Sequence, residues 1–148
     1  GGSTIAAPGW GPQERSRLAE LCRQAGITLL VDNLRDHIGT IHTGLTRADW
    51  GVAETATLVL DSTSEDVRIA TMLSEAHVAV LPRSRLICDL GELQPALSES
   101  MKSAPRYLAF ISGASRTADI ERVLTIGVHG PQELHLLILD EELTGEQP

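Results

Sequence analysis

At 148 residues and a formal net charge of −8, the chain is long enough to bury one core of its own and carries no basic stripe for phosphates. That excludes a general nucleic-acid binder and a partner of anionic membrane surfaces. Aromatic residues make up only 3% of the chain, so the core must come from Leu, Ile, Val and Ala, and no aromatic platform is available for stacking single-stranded bases.

Residues 1–11 read as a flexible N-terminal segment, with Gly1-Gly2-Ser3 as a trimmed end. Pro12 to Ala25 has the signs of a helix: Pro12 at the first helical position, Glu14 in the first turn, Gly26 closing it, and an apolar stripe of Leu18, Leu21, Cys22 and Ala25. Ile27 to Val31 is a continuous apolar run, the pattern of a buried parallel strand, and Asp32-Asn33 ends it. Leu34 to Thr46 is weakly patterned and reads as loop with some strand. Trp50 to Asp61 reads as two short strands, Ser64 to Glu75 as holding a short helix, and Ala76 to Leu81 as a strand closed by Pro82.

Arg85 to Cys88 is short and extended. Leu90 to Ser103 is helical, with Leu90, Leu93, Leu97 and Met101 on one face. Tyr107 to Ile111 is a strand, Ala118 to Arg122 a turn or short helix, Val123 to Val128 a strand, and Leu134 to Leu139 the last strand. Strands alternating with helices predict one α/β domain over residues 12–140. Its sheet is Rossmann-like, open, mainly parallel and flanked by helices, and an acidic tail follows at 141–148.

Cys22 and Cys88 are far apart, with no CxxC, so the chain cannot hold a four-cysteine iron–sulfur cluster by itself. Both read as buried free thiols of a cytoplasmic protein. No apolar run reaches the roughly 20 residues that span a bilayer, and no signal-peptide pattern opens the chain. Dinucleotide, P-loop and serine-hydrolase fingerprints are absent as well.

The chemistry-bearing residues gather in three places. Ser112-Gly113-Ala114-Ser115-Arg116-Thr117, followed by Asp119, is a small-residue segment after a strand. Its backbone N–H groups suit an anion and the Arg116 fork suits a carboxylate or phosphate; the alternative is a plain strand-to-helix turn capped by Ser115 or Thr117. Glu54-Thr55-Ala56-Thr57 puts a carboxylate inside an apolar strand pair: a general base, a binder of a substrate hydroxyl, or half of a buried ion pair with Arg116. His129-Gly130-Pro131 makes a tight turn, with His129 an acid, a base, a metal ligand, or simply anchored to a carbonyl. The Ser112 and His129 loops are expected to open on the same edge of one sheet. His77 and His135 read as satisfied core histidines, and HGPQELH lacks the spacing of a zinc motif, so no metal site is expected. Arg83 and Arg85 either join an anion site or solvate a loop.

AETATLVL (Ala53 to Leu60), EAHVAVLPRSR (Glu75 to Arg85) and SGASRTADIE…GVHGPQELHLLILD (Ser112 to Asp140) occur in this order. Together they resemble the LUD domain, the family of lactate utilisation protein C. Ala56 stands where the family pattern has Gly and Ala114 where it has Pro, and the chain is shorter at its N-terminus than the family's usual length.

The resemblance implies a fold similar to the NagB/RpiA/CoA-transferase group. It also implies an accessory, cluster-free part in oxidation of L-lactate to pyruvate, beside two iron–sulfur proteins, with the chemical step left open. The site implied is Glu54 and His129 as catalytic candidates, with Thr55, Thr57, Ser112, Gly113, Ser115, Arg116, Thr117, Asp119 and Gly130 as binders of a small carboxylate or phosphate. The competing readings are an independent transferase or ligase-like enzyme for a phosphorylated or CoA-linked molecule, and a scaffold without a ligand.

Overall fold

The computed structural model describes residues 4–103, 106–114, 116–117, 125–126 and 130–140. Its centre is a five-stranded, wholly parallel sheet in the order β11-β6-β3-β1-β2, formed by β1 (Thr4–Ala6), β2 (Thr28–Leu30), β3 (Thr43–Arg47), β6 (Ala76–Pro82) and β11 (Glu133–Leu139). Helix α1 (Pro12–Ala25) joins β1 to β2. A second sheet, β7-β4-β5-β8, is mixed. In it β4 (Trp50–Val52) runs antiparallel to β5 (Thr57–Asp61), β5 antiparallel to β8 (Leu108–Ile111), and β4 parallel to β7 (Leu86–Ile87). Helix α2 (Glu65–Met72) links β5 to β6, and α3 (Leu90–Ser103) follows β7. A two-stranded pair joins β9 (Arg116–Thr117) to β10 (Thr125–Ile126).

Four apolar clusters show how the layers pack. Trp10 and Leu18 pack with Ile5, Leu45, Val80 and Leu139, which puts α1 on one face of the parallel sheet. On the other face, Ile69 and Ala70 of α2 pack with Ala6, Leu34 and Ile41. Beside them, Leu58 and Ile111 of the second sheet meet Ala79 and Leu81 of β6. The outer face of the second sheet is closed by Leu93 and Leu97 of α3 against Val52 and Val59. These clusters bury side chains of the two larger sheets on faces that would otherwise meet water, the main source of stability in such layers.

The α/β class, the mainly parallel central sheet and the flanking helices agree with the sequence reading. Several details do not. The segment before Pro12, expected to be flexible, supplies β1 between β2 and β3, with Ala6 and Ala7 fully buried. Three residues are too few to show a period in sequence. The Leu34–Thr46 stretch holds a 3-10 turn (Leu34–His37) and the start of the central strand β3, which is disguised by Gly44 and two threonines. In α1 the core-facing residues are Leu18 and Cys22, while Leu21 is 54% exposed and Ala25 is exposed. Cys88, expected buried, is exposed, and the negative field of Glu92 pushes its thiol upward. His135, expected in the core, lies on an edge strand, where it is exposed and pairs with Glu133 at 2.8 Å. The expected strand over 123–128 is described only at β10, and the expected turn or helix over 118–122 lies outside the described residues. Among the described residues, no helix is long and apolar enough to cross a membrane.

Candidate functional site

The antiparallel register of β5 and β8 builds the site. Leu58 lies opposite Ile111, so one step further Thr57 lies opposite Ser112, although 55 residues separate them in sequence. Directly opposed residues of an antiparallel pair have neighbouring side chains, and Thr57 Oγ1 is 2.6 Å from Ser112 Oγ. Before Thr57 the chain turns. Ala56 N–H donates to the Ala53 carbonyl (3.3 Å), closing a four-residue turn that brings Thr55 Oγ1 to 2.8 Å from Thr57 Oγ1. The turn is tied to the strand beside it, since Ala53 N–H donates to the Ile87 carbonyl and Glu54 N–H to the Cys88 carbonyl.

The result is a chain of three hydroxyls, Thr55–Thr57–Ser112. Its central member is 7% exposed and its two ends are exposed. Ala56 holds φ +50°, a left-handed conformation that costs a residue with a Cβ about 1–2 kcal/mol; Gly is the residue the family pattern has here. Gly113, next to Ser112, has φ +105°, and beyond its two chain neighbours no atom of the described residues lies within 4 Å of where its Cβ would be.

The two sequence segments read as candidate sites are thus joined directly by their hydroxyls. Glu54 is corrected in its placement: it is exposed in the turn rather than buried within a strand pair. Arg116 and Thr117 supply the backbone of β9, paired with Ile126 and Thr125. Ser115, Asp119 and His129 lie outside the described residues. Gly130 sits in a bend that leads to β11. The expectation of one shared sheet edge is therefore corrected, because Ser112 follows a strand of the second sheet and Gly130 precedes a strand of the first. Nor is Ser112 at the carboxyl end of a parallel strand, since β8 runs antiparallel to β5.

Arg83 forms an ion pair with Asp140 at 3.2 Å, and the Arg85 guanidinium lies 4.8 Å from the centre of the Trp50 ring. His77 is the buried histidine the sequence suggested: it is 1% exposed, with Nε2 hydrogen-bonded to Thr46 Oγ1 at 2.8 Å. Burial lowers its pKa to about 4, because the imidazolium would lose its water.

Sequence reasoning missed two features. The strand order reverses between β1 and β3, where open α/β sheets commonly bind ligands, and the loop over residues 7–11 that flanks this point had been read as lying outside the domain. The signal available was Gly9-Trp10-Gly11-Pro12 ahead of a clear helix. A cavity of about 280 Å³, lined by Asn33, Arg35, Asp36, Ser64, Glu65 and Asp66, was also unforeseen. Three of its residues are already engaged, with Asp66 accepting from Leu34 N–H at 2.8 Å and Arg35 paired with Glu65. Among the described residues, no group of three or more His, Cys, Asp and Glu is placed to hold a metal ion.

The architecture defines an α/β domain whose distinctive chemistry is a hydroxyl-lined pair of loops at the rim of its second sheet. Comparison with known proteins gives that class a family: the LUD domain pattern matches residues 13–139, and the chain belongs to the LUD domain family. It is 31% identical over 135 residues to lactate utilization protein C of Halalkalibacterium halodurans, covering 89% of this chain and 52% of that protein. It is 31% identical over 121 residues to lactate utilization protein C of Deinococcus radiodurans, covering 76% and 57%. The chain thus spans about half the length of these relatives. A crystal structure of a DUF162 family protein from Deinococcus radiodurans superposes with a TM-score of 0.57 at 17% identity, covering 93% of this chain and 88% of the other, a likeness of fold.

Proposed function

We propose that this chain acts in lactate utilisation as an accessory, cluster-free component that binds a small anionic ligand at the Thr55–Thr57–Ser112 hydroxyls. The observation that carries this reading is the 2.6 Å contact between Thr57 and Ser112, which joins two separately identified sequence motifs at one spot. Hydroxyls at an exposed rim are suited to hold a carboxylate oxygen. Arg116 and Thr117, a few residues further on, supply a cation and a further hydroxyl in this reading, and Ser115, Asp119, His129 and Gly130 complete it. Glu54, exposed one residue before Thr55, is the carboxylate available as a base.

The partners are two iron–sulfur proteins of a cytoplasmic lactate-oxidising system; the chain's two cysteines leave the clusters to them. Support comes from the relatives' names and from the order of the three motifs. Affinity-tagged protein expressed in its own host is expected to co-purify with two iron–sulfur proteins, identified by mass spectrometry and by their visible absorbance. Recovery of the chain without them, together with undiminished growth on L-lactate after deletion of its gene, contradicts the assignment.

A further inference from the structure

We infer that the carboxyl-end rim of the parallel sheet holds a second anion site, in which Arg15 takes a small oxyanion, a carboxylate or a phosphoryl group. The observation that carries it is an orphaned donor. Nε of Arg15 is buried, and among the described residues it is the one buried side-chain nitrogen or oxygen without a hydrogen-bond partner. Buried polar groups are nearly always paired, and an Arg Nε–H can only donate, so the partner it lacks is an acceptor.

The fold says where that acceptor would sit. Helix α1 follows β1 directly, so its first turn stands at the carboxyl ends of the parallel strands. Leu18 packs on the sheet with Trp10, Val80 and Leu139, and Arg15, three residues earlier, lies on the same face one turn nearer the rim. Helical side chains lean toward the N-terminus, which carries Arg15 toward the loop over residues 7–11. This loop crosses the rim where the strand order reverses between β1 and β3, the point at which open sheets form a ligand crevice. It is fixed on three sides. Ala7 N–H donates to the Leu30 carbonyl at 2.7 Å, Trp10 Nε1–H donates to the Leu45 carbonyl at 3.1 Å, and a Cβ on the exposed Gly9 would stand 3.9 Å from Val67 of α2.

The guanidinium fork sets the ligand class. Nε–H and one Nη–H run parallel and meet two oxygens carried on one atom, as in a carboxylate or a phosphoryl group. The end of α1 faces the same rim, and its N-cap, Gly11, makes no side-chain capping bond. Glu14 brings a negative charge into the first turn and offsets the helix end, so affinity must come from the directed N–H groups of Arg15 rather than from general attraction. The site is separate from the hydroxyl chain, because α1 covers one face of the parallel sheet and the second sheet lies on the other. It therefore stands or falls independently of the ligand-binding reading above.

The test follows the arginine Nε–H resonances of the isotope-labelled full chain by NMR. Inorganic phosphate and acetate are titrated separately at constant ionic strength. The Arg15 resonance is expected to shift and saturate with one or both, and the tighter binder names the class. Arg15→Lys keeps the charge but loses the two-point donor. It is expected to weaken binding about tenfold, read from the backbone amides of Gly9 and Gly11. Its urea midpoint is expected to stay at the wild-type value, which separates lost binding from lost folding. An Arg15 resonance unmoved by both anions, or an Arg15→Lys protein that binds as tightly as the wild type, overturns the inference.

Discussion

Replacing Gly44 by alanine is expected to remove roughly 3 kcal/mol or more of stability, a large share of the about 5–15 kcal/mol that holds a domain folded. Gly44 lies in β3, and a Cβ at this position would stand 1.9 Å from the Ala70 carbonyl oxygen and 2.7 Å from its carbon. Both are backbone atoms of α2, so no rotamer change relieves the clash and the helix must move off the sheet. That movement opens the cluster of Ile69 and Ala70 with Ala6, Leu34 and Ile41. Urea unfolding followed by circular dichroism measures the effect. A Gly44→Ala midpoint equal to that of the wild type contradicts the packing of α2 on β3.

The second large effect is a dependence of stability on pH through His77. Its pKa in the fold is lowered to about 4 from an ordinary 6.5, so the unfolded chain binds this proton more readily than the folded one. Stability from His77 is fully present above about pH 6.5. It is lost as the pH falls through about 4, with a total change of about 3 kcal/mol. His77→Gln has no titrating group, so the stability difference between wild type and variant is expected to shift against the wild type by about that amount between pH 7 and pH 4. Parallel pH profiles for the two proteins, measured by chemical denaturation, contradict the burial of a neutral imidazole beside Thr46.

Elements with a strong period were legible in the sequence. Pro12 to Ala25, Ala76 to Leu81 and Leu90 to Ser103 were read nearly to their ends, because capping residues and apolar spacing both report on them. The centre of the parallel sheet was the least legible part. β1 is three residues long, and β3 has one large apolar residue, Leu45, among threonines and a glycine. Its Gly44 weakens the strand pattern for the same reason it serves the fold: the helix approaches too closely for any side chain. The division into two sheets was also hidden, since a run such as Leu58-Val59-Leu60 reads the same whether its partners are parallel or antiparallel.

For the site, residue types pointed to the right segments, but only the register of β5 against β8 reveals which side chains meet. Glu54 looked buried because its neighbours in sequence are apolar. It is exposed because the residues from Ala53 to Ala56 leave the strand in a turn. Cys88 and His135 were misread in the same way, since an apolar neighbourhood in sequence does not report that an element lies at a sheet edge or end.

The central claim, that the hydroxyl chain binds a small carboxylate, is tested most directly by titrating the isotope-labelled protein with L-lactate and following backbone amide shifts by NMR. The account predicts saturable shifts concentrated at Thr55, Thr57, Ser112 and Gly113. Absence of any shift there, or shifts confined to the cavity around Asn33, Arg35 and Asp66, would contradict it.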